Sequence, residues 1–180
     1  MIDSVLSAYA RQMEQYMSSY VHQPEGLVEV GNIGTGEGEE PCKIRIAMLS
    51  VERESASGSG STKSFSGEKI TPSFYPPLFT NLNIIIAAIF NEKRYKDALS
   101  FLSLSIGFLQ SNPSFETEDG SRYTIEMLNP SLQDQSNIWT LFGGHYYPSI
   151  VCKIRRLTFV TGDIKQTITK ITDHNTNLKS

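Results

Sequence analysis

The sequence is poor in most of what reactive sites, metals and membranes require. It has two cysteines and three histidines in 180 residues. Cys42 and Cys152 lie far apart, each in a strand-like run, and no basic segment followed by an apolar one opens the chain. The expected role of both is that of a small buried hydrophobe in a protein that folds in a reducing cytoplasm, with no disulfide and no signal peptide. His22, His145 and His174 stand alone, without an HExxH pattern or paired Cys-x-x-Cys elements, so no metal or other cofactor is expected. The longest unbroken apolar run, residues 84–90, falls far short of the roughly 20 residues a membrane helix needs. Basic charge is equally sparse: 16 Lys and Arg against 19 Asp and Glu leave a net charge of -3, which gives no footprint for nucleic acid. The one basic cluster, Lys153, Arg155 and Arg156, has the period of a solvated strand face.

What remains is an ordinary globular composition, 39% hydrophobic and 19% charged, which excludes disorder throughout. The length suits one domain with a real core.

Periodicity supplies the elements. Val5, Leu6, Tyr9, Met13, Tyr16, Met17 and Tyr20 recur at three- and four-residue steps, which predicts a first helix capped by Asp3 or Ser4. A short strand over 27–30 follows, then a glycine-rich loop over 31–38 read as a hairpin turn. Ile44, Ile46 and Met48 alternate with Lys43 and Arg45, which predicts a half-buried strand over 43–52. Residues 54–72 are rich in Ser, Gly, Lys and Glu and read as a mobile loop. From Leu78 to Phe90 the pattern passes from alternating to continuously apolar, as expected of the central strand of a sheet buried on both faces. Asn91 is placed to cap a second helix whose buried stripe reads Tyr95, Ala98, Leu99, Leu102, Ile106 and Leu109. A strand over 122–128 and a short helix over 132–142 follow, the latter anchored by Trp139, Leu141 and Phe142 and ended by Gly143 and Gly144. Pro148 then leads into a last strand over 149–160. The order predicts an α+β fold, a mixed and mostly antiparallel sheet packed with two to three helices.

The same residues offer little reactive chemistry. The glycine loop has neither the dinucleotide fingerprint nor the Gly-Lys-Ser/Thr ending of a phosphate loop, and Glu39 and Glu40 would repel a phosphate there. His145 and Cys152 are a nominal imidazole–thiol pair, but a regular strand between them holds them roughly 20 Å apart. No G-x-S-x-G elbow exists, and the acidic pairs Glu39/Glu40 and Glu118/Asp119 fall in turns without the rigid support a carboxylate dyad needs. No catalytic residue is therefore assigned. A small ligand-binding or hydrolytic module around His145, Tyr146 and Tyr147 is the weaker alternative.

Four ordered motifs carry a resemblance. The opening Met-Ile-Asp-Ser-Val-Leu, the Pro-Pro-Leu-Phe-Thr-Asn-Leu-Asn strand beginning at Pro76, the helix from Tyr95 to Gln110, and Asn137-Ile-Trp followed by Gly144-His-Tyr-Tyr-Pro-Ser resemble the tail-terminator, or cap, proteins of extracellular contractile injection systems of the antifeeding-prophage and virulence-cassette type. The resemblance spans residues 1–160 and leaves the 54–72 loop and the 161–180 tail without a counterpart. It implies a phage tail-terminator-like fold and a structural, non-enzymatic protein, assembled in the cytoplasm and then carried in the particle. Its implied role is a hexameric ring that closes the distal end of the inner tube and sheath and couples the two. A baseplate or tube-joining adaptor of the same particle is the runner-up. Sheath and inner-tube proteins are the implied partners. The candidate interface residues are Tyr9, Met13, Tyr16 and Tyr20 on the first helix, and Ile164, Ile168 and Ile171 on a tail suited to strand exchange.

Overall fold

A computed structural model describes residues 1–21, 26–33, 41–54 and 77–159. The loop over 54–72, apart from Glu54, and the tail after Phe159 lie outside the described residues. The elements run α1 (Ile2–Ser18), β1 (Val28–Val30), β2 (Lys43–Arg53), β3 (Leu78–Ile89), α2 (Tyr95–Ser111), β4 (Ser114–Glu116), β5 (Arg122–Met127), α3 (Leu132–Leu141) and β6 (Ser149–Phe159), with a 3-10 turn, Glu92–Arg94, before α2. The fold is α+β, as expected: one six-stranded sheet in the order β1-β2-β3-β6-β5-β4. Four of its five strand pairs are antiparallel and β1-β2 is parallel.

The parallel pair corrects the reading of residues 31–38. A hairpin joins antiparallel neighbours only, so residues 31–38 do not form one between β1 and β2, and residues 34–40 lie outside the described residues. Ahead of them the chain changes faces: Val28 lies in the core under α1, whereas Ile33 is buried on the opposite side.

β3 sits in the interior of the sheet, where its apolar run placed it. Leu82, Ile84, Ile86 and Ala88 enter a large core shared with α1, α2, β2 and β6, while Ile85, Ala87 and Ile89 enter a smaller one with Trp139 and Tyr147. Successive side chains of a strand point to opposite faces, so a strand covered on both sides must be apolar at every position. The run ends at Asn83 and Asn81, which lie on the face that α3 leaves uncovered.

α1 buries Val5, Leu6, Tyr9, Met13 and Met17 in the large core, as its periodicity requires. The helix starts two to three residues earlier than a cap at Asp3 or Ser4 would place it, with Met1 in the capping position. Ser4 does not cap it and instead donates from Oγ to the Met1 carbonyl at 2.7 Å. α2 departs further from expectation. Ala98, Ser105, Phe108 and Leu109 are buried, while Tyr95, Leu99 and Ile106 are 50, 42 and 40% exposed. α2 is apolar nearly all round, so hydrophobic spacing alone did not identify its buried side. Its contact with α1 did: Phe108 lies against Tyr9 and Tyr16, and Gly107 leaves room for the Tyr16 hydroxyl, which would lie 3.2 Å from an added Cβ.

α3 has a complete capping box, in which the Ser131 Oγ accepts from the Asp134 N–H and the Asp134 carboxylate accepts from the Ser131 N–H. Gly143 and Gly144, at φ of 91° and 80°, end it in the left-handed conformation that glycine adopts without strain, and the Gly144 N–H donates to the Trp139 carbonyl. Of the three expected anchors Trp139 is buried and Phe142 half-buried, but Leu141 is 82% exposed. β4 was missed from sequence because only three residues, among them a single buried Phe115, mark it.

Candidate assembly surfaces

The residues with chemical potential do not converge. Cys152 faces the large core, where burial pushes its thiol up to about 12, so it stays protonated and unreactive at neutral pH. His145 is exposed, its ring 4.7 Å from that of Tyr147, which belongs to the core on the other face. The sheet therefore lies between imidazole and thiol. Cys42 ends up just ahead of β2 rather than inside it, at a φ of 51°, and both thiols are free. Among the described residues no group of three His, Cys, Asp or Glu side chains is placed to hold a metal ion. His22 and His174 lie outside them.

Two shallow clefts flank α3. One of about 190 Å³ is lined by residues that include Met127, Asn129, Pro130, Gln135 and Trp139. The other, of about 340 Å³, runs past Leu132, Ser136, Trp139, Thr140 and Tyr146. Neither lining includes an acidic, basic, histidine or cysteine side chain.

The uncovered half of the α3-side sheet face is polar and laced by ion pairs. Lys153 on β6 pairs with Glu52 on β2 at 2.8 Å across Asn83 of β3, whose Nδ2 also donates to Glu52. Those bonds, from Lys153 first and Asn83 second, hold the Glu52 carboxyl below the usual carboxylate range. Arg155 pairs with Glu126 on β5. The basic cluster is thus a solvated strand face, except that Arg156 sits in a bulge at a φ of 70° with its N–H bonded to the Asn81 Oδ1.

Apolar exposure is found elsewhere. Tyr95, Leu99 and Ile106 share one side of α2 at steps of four and seven residues, and half-buried Leu102 lies on the same stripe. On the other face of the sheet, Leu132 is 85% exposed and Tyr146 59%, flanking Trp139 at the larger cleft. The first-helix candidates divide sharply. Tyr9 and Met13 are wholly buried in the chain's own core. Tyr16 is half-buried and stacks on Tyr20, which is 62% exposed. Ile164, Ile168 and Ile171 lie outside the described residues.

The comparison that decides the family is a match over residues 4–172 to the model of the Pvc16 N-terminal domain. The chain belongs to the Pvc16 N-terminal domain family. Two solved structures share the fold of this Pvc16_N chain. The first is the sheath/tube terminator of an extracellular contractile injection system, PVC, in its extended state: TM-score 0.56 and 13% identity, covering 100% of this chain and 64% of that one. The second is the tube-terminating cap of the anti-feeding prophage, at TM-score 0.55 and 12% identity over 96% of this chain and 60% of that one. The Pvc16_N chain thus spans somewhat under two thirds of the length of these terminators. No curated protein matches it. The fold class and the resemblance drawn from the four motifs agree with these findings, and no helix among the described residues is long and apolar enough to cross a membrane.

Proposed function

We propose that this Pvc16_N chain is a terminator of a contractile injection particle, placed at the distal end of the inner tube and sheath, where it ends polymerisation and couples one to the other. Family membership over residues 4–172 carries the reading, and the fold shared with two terminators supports it. The protein works by contact and not by turnover. It assembles in the cytoplasm as a six-membered ring around residues 1–160, and the 161–180 tail with Ile164, Ile168 and Ile171 supplies a strand to a neighbouring sheath or tube protein.

Ring closure by rotation needs two unlike surfaces on each subunit. The α2 stripe on one side of the sheet and the Leu132–Tyr146 edge of α3 on the other meet that requirement, and Tyr20, stacked on Tyr16, extends the contact at the end of α1. Deleting the protein is expected to give tubes and sheaths of irregular length, visible by negative-stain imaging. Particles of normal length and stability in the deletion strain would overturn the reading, and a labelled copy at the baseplate end would make it an adaptor instead.

A further inference from the structure

Two runs of the chain carry no ionised side chain: residues 98–115 and 135–152 hold no Lys, Arg, Asp or Glu. The first covers nearly all of α2, the second most of α3 and the turn after it. Each presents apolar side chains to solvent. On α2 these are Leu99 and Ile106, with half-buried Leu102 between them, a ridge about 10 Å long at the helical rise of about 1.5 Å per residue. Beside α3 there is a groove instead. Leu132 and Tyr146 wall it, and exposed Ser136, Thr140 and Gly144, spaced four apart, line it with little side-chain bulk. From Leu132 to Thr140 it runs about 12 Å by the same rise.

Neither surface needs a polar partner. The Ser100 and Ser103 hydroxyls beside the ridge donate to the Lys96 and Leu99 carbonyls of their own helix, at 3.1 and 2.8 Å. The Thr140 hydroxyl in the groove donates to the Ser136 carbonyl at 2.9 Å. These donors are already used, so a dry contact leaves none of them unpaired. Depletion of charge around exposed apolar side chains is the composition of an interface centre. Ridge and groove match in length and chemistry but lie on opposite faces of the sheet, since Phe108 of α2 enters the large core and Trp139 of α3 the smaller one. A chain cannot seat its own ridge in its own groove, which makes a second copy the occupant.

We propose that Leu99, Leu102 and Ile106 of one copy lie lengthwise in the Leu132–Tyr146 groove of the next, so that copies join head to tail. This rests on the ring of the proposed function and names which surface meets which. Contact between unlike surfaces leaves a free ridge at one end of a row and a free groove at the other, and growth stops when those two meet.

Disulfide trapping on the full chain, with Cys42→Ser in every sample, tests it. Oxidising an equimolar mixture of the Ile106→Cys and Ser136→Cys chains is expected to give mixed dimers at least about tenfold over either homodimer. That excess should vanish when Leu99→Glu is added to the Ile106→Cys chain. An excess of Ile106→Cys homodimers would place ridge against ridge and overturn the proposal, as would the ratio expected of random collision or an excess that survives Leu99→Glu. Should a cysteine chain fail to fold, sedimentation of Leu99→Glu and Thr140→Glu decides: each alone should be a monomer and their mixture should pair, whereas a monomeric mixture rejects the contact. Trapping reads the contact alone, so its failure leaves the terminator reading to be judged by particle length in the deletion strain.

Discussion

Gln12 and Glu14, two residues apart on α1, hold opposite edges of the sheet. The Gln12 side-chain amide donates to the Glu116 carbonyl on β4 at 2.9 Å, and the Glu14 carboxylate accepts at 2.9 Å from the Leu27 N–H just ahead of β1. β1 and β4 are the two ends of a six-stranded order, so a helix that reaches both requires the sheet to curl around it. The side chains facing inward, Tyr9, Met13 and Met17, fill the trough.

Glu14→Ala leaves the Leu27 N–H without its acceptor in a half-buried setting and is expected to cost about 1–2 kcal/mol. Glu14→Gln keeps an acceptor oxygen and should recover at least half of that. Urea unfolding of the three chains, at constant m, measures it; equal midpoints for Glu14→Ala and the parent would show that the clip contributes nothing.

Tyr9 makes an unusual prediction. Its ring packs at 5.4 Å from Phe108 and 5.0 Å from Phe115, but its buried hydroxyl has no hydrogen-bond partner among the described residues. A buried polar atom without a partner costs free energy, so Tyr9→Phe is expected to leave stability unchanged or raise it by up to about 1 kcal/mol. Tyr9→Ala, which removes the ring as well, should cost about 3–5 kcal/mol. A clear loss in Tyr9→Phe would reveal a partner for the hydroxyl.

Tyr9 and Cys152 together set an alkaline limit. Burial raises the pKa of the Cys152 thiol from 9.0 to about 12, and burial first, then Cys152, raises that of the Tyr9 phenol above its ordinary value. Both groups keep their protons in the folded chain and lose them more readily when it unfolds. Their contribution is therefore complete below pH 9.0 and is lost as pH rises toward about 12. Stability against urea should fall across that window, and less steeply in Cys152→Ala after its lower starting stability is subtracted. At pH 8 Cys152 should react with a thiol reagent only once the chain unfolds; rapid labelling of the native protein at this position would contradict its burial.

Leu99→Glu and Ile106→Glu separate assembly from folding. Both positions are about 40% exposed, so each change should shift stability by no more than about 0.5 kcal/mol. Ring formation, followed by sedimentation and by particle length, should be lost. Normal rings in both variants would remove the α2 stripe from the interface.

Much of this was legible in the residues. The β3 run placed it inside the sheet because a strand covered on both faces has no position free for a polar side chain until Asn83. The glycines at 143 and 144 ended α3 because they alone enter the left-handed region without strain. The separation of His145 from Cys152 was readable too, since one lies in the turn ahead of β6 and the other within that strand.

The sequence by itself determined which segments are helix or strand, β4 apart, because hydrophobic period, caps and turn residues act over a few neighbours. Only the tertiary structure decided that β1 runs parallel to β2, that α2 turns Phe108 and not Leu99 inward, and that Tyr9 and Met13 belong to the chain's own core. Each of those outcomes depends on contacts between residues far apart in the chain, which a local period does not fix.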